Sequence, residues 1–323
     1  STTKSFRTSR WSETIREGSS TAVVELAADG ESPDVRMRMV LDQAGGRATS
    51  VNGAVKRRVS DVVGIIPCVV FTPDFLDVVK GSAAGRRAAL DLLGSQVSQP
   101  YAKLVKEYER AIKQRNQLLK RGAADSEMEP WNEALVQHGA RLTVHRARLA
   151  AKLMDCASAV YEDVSGGEVL AAGYEPDSLP TSPENWFDDE QAVSRTKEVL
   201  RRAVASRAAD ERTRCVSLVG PHRDDLRITI QGRDARAFAS QGQQRTVALA
   251  WKLAEVDIVA SVTGRMPIVL LDDVMSELDK ERRRALTERV GARVQTVITT
   301  TNTGYFDKDL LERALLVEVC GAH

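Results

Sequence analysis

The chain has 323 residues, of which 42% are hydrophobic and 28% are charged, and its formal net charge at pH 7 is +1. That length suits one large domain with an insert, or two domains, and the composition excludes the disordered and membrane classes. Because the net charge is close to zero, any binding to nucleic acid must come from local basic patches rather than from the molecule as a whole.

The four cysteines, Cys68, Cys156, Cys215 and Cys320, are widely scattered. This spacing predicts small buried side chains rather than a disulfide framework or a zinc site, and it favours a reducing compartment. No apolar run reaches the roughly 18 residues that a membrane span needs, and the N-terminus lacks the apolar core of a signal peptide. We therefore expect a cytoplasmic protein without a membrane partner.

The first part of the chain has the composition of β-strands. Two strands are predicted, over Thr21–Leu26 and Val35–Leu41, with a turn at Ala28–Gly30 between them. A second turn is predicted at Asn52-Gly53, a pair that suits hairpins. The apolar run Val62–Phe71 is rich in β-branched residues and predicts a buried strand with its approach loop.

The middle of the chain changes to helical spacing. Apolar residues recur at gaps of three and four over residues 101–121 and 131–160, and Gly122–Pro130 separates the two stretches as a loop. Two amphipathic helices joined by a short loop predict an antiparallel helical arm. His138 and His145 lie on the seam between these helices, where packed side chains are favoured over metal ligands.

The chain then returns to strand-like composition. Residues 165–192 contain several glycines and prolines and are predicted to form a loop, and Glu190–Arg212 is predicted to be a helix. Cys215–Val219 is predicted to be a strand. Strands on both sides of a helical insert predict one α/β head that the arm interrupts.

An apolar run that begins at Pro267 ends in two carboxylates, Asp272 and Asp273. The run predicts a central buried strand, and in open α/β sheets ligands bind at the carboxyl edge of such strands. One carboxylate there suits Mg²⁺, and the next suits the orientation of an attacking water molecule. A strand that simply ends in an acidic turn is the alternative interpretation.

The segment Phe238–Arg245 (FASQGQQR) precedes an amphipathic helix. Ser240 suits the N-cap of that helix, and Gly242 allows close approach of the backbone. The N–H groups of a helix N-terminus, together with a serine hydroxyl, form an anion site that fits a γ-phosphate. An ordinary capped helix without a ligand is the alternative.

Two further segments follow the acidic strand. Ser276–Asp279 (SELD) comes directly after it, and Asp279 suits the cap of the next helix. A further core strand with a polar end is predicted at Val297–Asn302. The capped turn, the double-acid strand and SELD occur in the order typical of ABC-type ATPases. Those proteins usually carry a γ-phosphate-sensing histidine after the next strand, and Thr300 occupies that place here.

These motifs resemble those of the RecF family, bacterial recombination mediators related to the ABC-type SMC heads. The matching segments span nearly the whole chain in the family's order: SFRTSR (Ser5–Arg10), TPDFLDVVKGSAAGRR (Thr72–Arg87), LVGPHRDDL (Leu218–Leu226), FASQGQQR (Phe238–Arg245), LLDDVMSELD (Leu270–Asp279) and ITTT (Ile298–Thr301). GPHRDD together with SQGQQR is a highly specific combination.

The resemblance implies an α/β fold: an ABC-type P-loop NTPase head with a mixed sheet, interrupted by an α-helical arm. The implied domains are a first, β-rich part of the ATPase head, the helical arm, and a second part of the head with the signature, the Walker B strand and the D-loop. Their expected boundaries are 1–95, 96–210 and 211–323.

The resemblance implies ATP and Mg²⁺ as cofactors, with Asp272 in the Mg²⁺ role and Asp273 in the water-activating role. Because Asp273 stands where Glu is usual, we expect slow hydrolysis. The resemblance implies a weak, DNA-stimulated ATPase in the complete protein. One subunit would close on the nucleotide that the other holds, so that ATP produces a homodimer. The implied nucleotide-binding residues are Ser240, Gly242, Gln243, Gln244, Asp279 and Thr300.

The implied partners are double-stranded DNA, gapped DNA, and RecR acting with RecO in loading the recombinase. Two basic clusters are predicted to contact DNA phosphates, Lys56-Arg57-Arg58 and Arg86-Arg87, with Arg7 and Arg10 as further candidates. A solvated basic face is the alternative for each. Aromatic residues make up only 5% of the chain, and none interleaves with these clusters. Backbone binding to duplex DNA is therefore favoured over base stacking on single strands.

One motif of the family does not occur in the sequence. The P-loop, GxxxxGK[ST], precedes the segment that resembles SFRTSR, and it supplies the N–H cradle and the lysine that grip the phosphates. This chain alone is therefore expected to bind ATP poorly. The sequence starts without a methionine, and residues missing before Ser1 are the favoured explanation.

Some alternatives stay open at this point. His222 of GPHRDD suits a metal ligand or a general base, although a structural loop held by an Arg223–Asp pair is favoured. A non-enzymatic DNA or partner scaffold, and an ABC-type repair head with a nuclease partner, are the rival functions.

Overall fold

The computed structural model describes residues 11–29, 34–58, 61–179, 187–291 and 294–319. Several residues used in the sequence predictions lie outside these ranges, namely Ser5–Arg10, Gly30, Pro180, Pro183 and Cys320. No helix in the described part of the chain has the length and apolar character needed to cross a membrane.

The strands are β1 (Thr21–Ala28), β2 (Val35–Asp42), β3 (Arg47–Val51), β4 (Ala54–Lys56), β5 (Cys68–Phe71), β6 (Leu170–Glu175), β7 (Asp225–Ile230), β8 (Arg233–Asp234), β9 (Ile268–Asp272) and β10 (Thr296–Thr299). The α-helices are α1 (Ala83–Val97), α2 (Gln99–Lys120), α3 (Asp125–Ser165), α4 (Ala192–Arg214), α5 (Ala235–Phe238), α6 (Gln241–Thr263), α7 (Lys280–Gly291) and α8 (Lys308–Arg313). Short 3₁₀ turns lie at Trp11–Thr14, Pro73–Val78, Met275–Glu277 and Thr303–Tyr305.

An antiparallel sheet, β1-β2-β3-β4, forms the first lobe. Its two long strands confirm the predictions over Thr21–Leu26 and Val35–Leu41. The hairpin between β3 and β4 turns at Asn52 and Gly53, whose φ angles are +48° and +79°. Left-handed values at both turn residues are what an Asn-Gly pair accommodates at low cost, which confirms the predicted turn.

A parallel sheet with the order β10-β9-β5 lies in the head. Thr299 pairs with Asp272, and Phe71 pairs with Leu271. The carboxyl ends of all three strands therefore meet at one edge, with the acidic end of β9 in the middle. The predicted strand within Val62–Phe71 forms only over its last residues, as β5.

Helix α6 is the centre of the head core. Leu249 and Trp251 are fully buried, and they pack in one large apolar cluster with the second half of α3 and with β9. Glu255 accepts a hydrogen bond from the indole N–H of Trp251 at 2.8 Å and pairs with the buried Lys252 ammonium at 2.9 Å. Because its polar groups are paired inside the core, α6 is a fixed support for the segment at its N-terminus.

The arm consists of α2, the first half of α3, and α4, around a second apolar cluster that includes Leu135, Leu142 and Leu200. Helix α3 is thus shared between the arm and the head core. The predicted loop Gly122–Pro130 was wrong, because α3 begins at Asp125 and contains Pro130. The Glu127 carboxylate accepts a hydrogen bond from the Ala124 N–H at 3.2 Å, so the helix starts before the exposed proline.

Two more predictions were wrong. Cys215–Val219 forms no strand, because its amides bond to arm side chains: the Ser217 N–H donates to Asn116 at 2.8 Å, and the Leu218 N–H donates to Glu211 at 2.7 Å.

The predicted loop 165–192 contains β6, which pairs antiparallel with β7. Its inward side chains are Leu170, Ala172 and Tyr174, a weak signal in a segment rich in alanine and glycine.

Candidate nucleotide site

Ser240 caps helix α6. Its hydroxyl oxygen accepts from the Gln243 N–H at 3.2 Å, and its own N–H donates to the Gln243 side-chain oxygen at 2.9 Å. This reciprocal pair confirms the predicted cap. The first N–H groups of a helix have no partner within it, so those of Gln241 and Gly242 are free of intrahelical bonds. Ser240 is exposed, and an anion could reach this terminus.

Two of the three glutamines of the turn, Gln243 and Gln244, bond to other parts of the chain through their side chains. The Gln243 amide donates to Glu168 at 2.9 Å, and Glu168 also accepts from the Tyr161 hydroxyl at 2.7 Å. Gln244 is buried and donates to the carbonyl of Ala239 at 2.8 Å. The side-chain amides of Gln243 and Gln244 are therefore occupied within the chain, whereas Ser240 and Gln241 are exposed at the helix terminus.

Arg282 connects the capped turn to the segment after β9. Its Nε donates to the Thr246 hydroxyl at 2.7 Å, and that hydroxyl donates to the Gly242 carbonyl at 2.9 Å. The Arg282 guanidinium also bonds Asp279. A Cβ at Gly242 would lie 3.3 Å from the guanidinium, which explains why a glycine suits this position.

A second connection runs parallel to the first. Arg245 of α6 pairs with Glu277 at 2.9 Å. Asp279 caps α7, as predicted, by accepting from the Arg282 N–H at 2.9 Å. Sequence reasoning missed Arg282, because nothing in the local pattern distinguishes it from the other arginines of α7. The two ion-paired arginines hold the α6 terminus and the SELD segment together as one unit.

The acidic pair lies at the end of β9, as predicted. The Thr299 hydroxyl donates to Asp272 Oδ1 at 2.8 Å and accepts from the Asp273 N–H at 3.1 Å. Thr299 thus fixes the turn, whereas Thr300, the predicted residue, bonds locally to Asn302. Sequence reasoning missed Thr299 because only the strand register reveals that it lies opposite Asp272.

Asp273 is held in an unfavourable state. Its φ is +52°, in the left-handed region that costs most residues about 1–2 kcal/mol. Its Oδ1 is buried and has no hydrogen-bond partner among the described residues. A buried carboxylate oxygen without a partner is costly, and backbone strain of this kind concentrates at functional sites.

These carboxylates fit Mg²⁺. The ion prefers oxygen ligands and usually binds through one or two carboxylates plus waters and substrate phosphates. Across the described ranges, no group of three or more His, Cys, Asp or Glu side chains forms a metal-binding cluster. Two neighbouring carboxylates, one with an unpartnered oxygen, are the donor set that such a phosphate-assisted site requires.

The predicted DNA-contacting residues separate into two kinds. Arg57 and Arg58 are exposed, and Lys56 is half-buried at the end of β4. Arg86 is only 3% exposed and binds both carboxylate oxygens of Asp225 at 2.8 Å. It is therefore unavailable to DNA. Its neighbour Arg87 is half-buried and donates to the carbonyl of Asp224, so the Arg86-Arg87 pair is not a surface patch.

The GPHRDD segment is a structural loop. His222 bonds the Tyr108 hydroxyl through Nδ1 at 2.7 Å and the Ser217 carbonyl through Nε2 at 3.1 Å. Burial lowers the pKa of His222, which keeps the ring neutral at pH 7. Arg223 pairs with Asp177 at 3.1 Å. Both ring nitrogens are occupied, which argues against a metal ligand or a general base.

The two aspartates of the segment are also paired. Asp224 accepts from the Tyr174 hydroxyl at 2.8 Å and from the Asp177 N–H at 3.0 Å, and burial raises its pKa. Although burial alone would raise the pKa of Asp225, the Arg86 guanidinium holds it below its usual value. Arg146 of α3 donates to the Pro221 carbonyl at 2.6 Å. The loop therefore binds α1, α2, α3 and β6 to one another.

The chain is similar to curated proteins over almost its whole length. It is 38% identical over 325 residues to the DNA replication and repair protein RecF of Synechococcus sp., covering 98% of this chain and 84% of that protein. It is 37% identical to the protein of the same name from Shouchella clausii, again covering 98% and 84%. No family model matches the chain.

Two solved structures resemble the fold. One is the recombination mediator protein RecF-ATPrS in the RecFOR pathway, with a TM-score of 0.83 and 28% identity over 94% of this chain and 81% of that one. The other is RecF-ATP of the same pathway, with a TM-score of 0.82 and 27% identity over 93% and 79%. The predicted fold class, an α/β ABC-type head with a helical arm, is confirmed.

Proposed function

This chain belongs to the RecF family of DNA replication and repair proteins, and on that premise we propose that it is an ATP-dependent recombination mediator that binds double-stranded DNA. In this proposal ATP and Mg²⁺ produce a homodimer, and the dimer loads the recombinase at single-strand gaps together with RecO and RecR. Slow hydrolysis releases it. The observation that carries the proposal is the buried Asp273 oxygen beside Asp272, which has no hydrogen-bond partner in the part of the chain that the structure describes.

Each residue has a role in this proposal. The Ser240 hydroxyl and the free N–H groups of α6 bind a phosphate that the partner subunit holds. Asp272, oriented by Thr299, would hold the metal ion, and Asp273 would orient the attacking water. When bound, ATP supplies the phosphates that join the two subunits. Arg282 and Arg245 keep the α6 terminus and Asp279 in register while the subunits close.

Size-exclusion chromatography with light scattering on the natural protein tests the dimer. We expect ATP and Mg²⁺ to double the mass, and Asp273→Asn to prolong the life of the dimer because hydrolysis is slowed. Asp309→Asn, which removes an exposed carboxylate of α8, is the matched control and should behave like the unmodified protein. A protein that stays monomeric with ATP, with or without Asp273→Asn, would support the scaffold function instead.

DNA binding is tested at the exposed cluster after β4. Replacing Lys56, Arg57 and Arg58 by Ala should reduce the slope of log K against log salt by about 0.9 per lost phosphate contact. The measurement is fluorescence anisotropy with a labelled duplex. An unchanged slope would remove this cluster from the DNA-binding surface.

A further inference from the structure

The exposed side of α2 carries a row of positively charged side chains. They recur at steps of three, four, three and seven residues, so they lie on one face of the helix. We call this set the α2 row: Lys103, Lys106, Arg110, Lys113 and Lys120, all of them exposed. At 1.5 Å per residue the row is about 25 Å long.

Most of the α2 row has no acidic partner. Lys103 lies 3.6 Å from Glu107. Within the described part of the chain, Lys106, Arg110, Lys113 and Lys120 form no ion pair. Glu109 is the other acidic side chain of the helix, and it is exposed at the margin of the row. The row therefore presents an excess of positive charge to solvent.

Helix α4 of the same arm shows that this arrangement is not a general property of the arm surface. Five of its arginines pair with carboxylates: Arg195 with Asp189, Arg201 with Glu133 and Glu198, Arg202 with Glu198, Arg207 with Asp210, and Arg212 with Asp125. The positive charge of α4 is thus largely neutralised within the protein, whereas that of α2 remains available to a ligand.

Positively charged side chains also occur on α3, across a cleft of about 420 Å³ from α2. The cleft is lined by Lys103, Arg141 and His145, and also by Glu107, which pairs with Lys103. Burial and the nearby Arg148 and Arg141 lower the pKa of His145. Burial is the largest cause of this shift, and the positive charges of the two arginines add to it.

We propose that the α2 row, with Arg141 beside it, binds the phosphate backbone of double-stranded DNA. This inference rests on the proposed function and assigns a surface for it on the arm. Spaced cations without base-reading groups suit sequence-independent phosphate contacts. The tyrosines of α2, Tyr101 and Tyr108, are buried, so the face offers no aromatic platform for single-stranded bases.

The test compares two triple variants of the natural protein. The first replaces Lys106, Arg110 and Lys113 by Gln. The matched control replaces Arg201, Arg202 and Arg207 of α4 by Gln, which removes the same number of positive charges from the same arm. Duplex affinity is measured by anisotropy with ATP and Mg²⁺ between about 50 and 200 mM salt. Circular dichroism checks that both variants are folded.

We expect the α2 variant to lower the salt slope by about 2–3 and to weaken binding at least about tenfold at the low-salt end, since each phosphate contact contributes about 0.9 to the slope. The α4 control should keep the slope of the unmodified protein. An unchanged slope in the α2 variant, equal losses in both variants, or a loss confined to single-stranded DNA would overturn the inference. If the unmodified protein binds no duplex at all, the proposed function fails instead.

Discussion

Two polar regions of this molecule, the GPHRDD loop and the candidate nucleotide site around Ser240 and Asp273, differ in how completely their polar groups are hydrogen-bonded. In the loop, the side-chain groups of His222, Asp224 and Asp225 bond to other parts of the chain. At the end of β9, the carboxylate of Asp273 retains a buried oxygen that has no hydrogen-bond partner within the described ranges, and the first N–H groups of α6 have no partner within the helix.

The difference shows how a structural motif and a binding motif are distinguished. Buried polar groups are normally hydrogen-bonded. A segment whose groups are all paired stabilises the fold and has little left for a ligand. A segment with unpaired groups carries a cost that binding can relieve. Substitutions should therefore reduce stability strongly at the loop and weakly at Asp273.

The largest effect is expected at Arg146, which fastens the loop to the arm. It is 4% exposed, bonds both oxygens of Asp91 at 2.8 and 2.6 Å, and donates to the Pro221 carbonyl. Although burial alone would lower the pKa of Arg146, the bonds to Asp91 raise it. Arg146→Ala leaves Asp91 with the hydrogen bond from the Tyr101 hydroxyl but without its ionic partner, which costs about 3–5 kcal/mol of unfolding free energy. Urea denaturation measures this change.

Arg148→Ala is the control for that prediction. Arg148 lies one half-turn away on the exposed side of α3, and its guanidinium donates to the carbonyls of Phe187 and Asp189. Its loss should cost less than about 1 kcal/mol. Equal effects at the two positions would show that the loop is not the structural connection described above.

A smaller effect is expected at Tyr108, which is 3% exposed and bonds His222. Tyr108→Phe leaves one nitrogen of the imidazole buried without a partner and should cost about 1–3 kcal/mol. Tyr305→Phe removes a hydroxyl from a half-buried ring that stacks on Arg283, and it should leave stability unchanged. Thermal unfolding of the two variants measures this difference in stability. An unchanged stability of Tyr108→Phe would contradict the structural role of His222.

The smallest effect on stability is expected at Asp273. Asp273→Asn should change the free energy of unfolding by less than about 0.5 kcal/mol, because asparagine has the same shape, tolerates the left-handed backbone, and replaces an oxygen that has no hydrogen-bond partner to lose among the described residues. Asp224→Asn, the matched change in the loop, should cost about 1–3 kcal/mol since its carboxylate accepts several hydrogen bonds. Larger destabilisation at Asp273 than at Asp224 would reverse the distinction between the two segments.

The parts of the site that depend on local pattern could be predicted from sequence. A serine followed three residues later by glutamine fixed the α6 cap, and an apolar run before two aspartates located β9. The parts that depend on distant partners could not. Arg86 looked like half of a basic patch because its carboxylate partner, Asp225, is 139 residues away. Arg282 and Thr246 are likewise 36 residues apart.

The length of helix α3 has a mechanical consequence. It runs unbroken for 41 residues, about 60 Å at 1.5 Å per residue, from the end of the arm into the core beside α6. The C-terminal part of α3 packs against α6, the helix that Ser240 caps, and the N-terminal part lies in the arm. The helix can therefore act as a lever between the head and the arm. A tilt of one degree about the core end of α3 displaces its far end by about 1 Å. Small rearrangements of the head are therefore amplified at the arm, and a force applied to the arm is transmitted to the head.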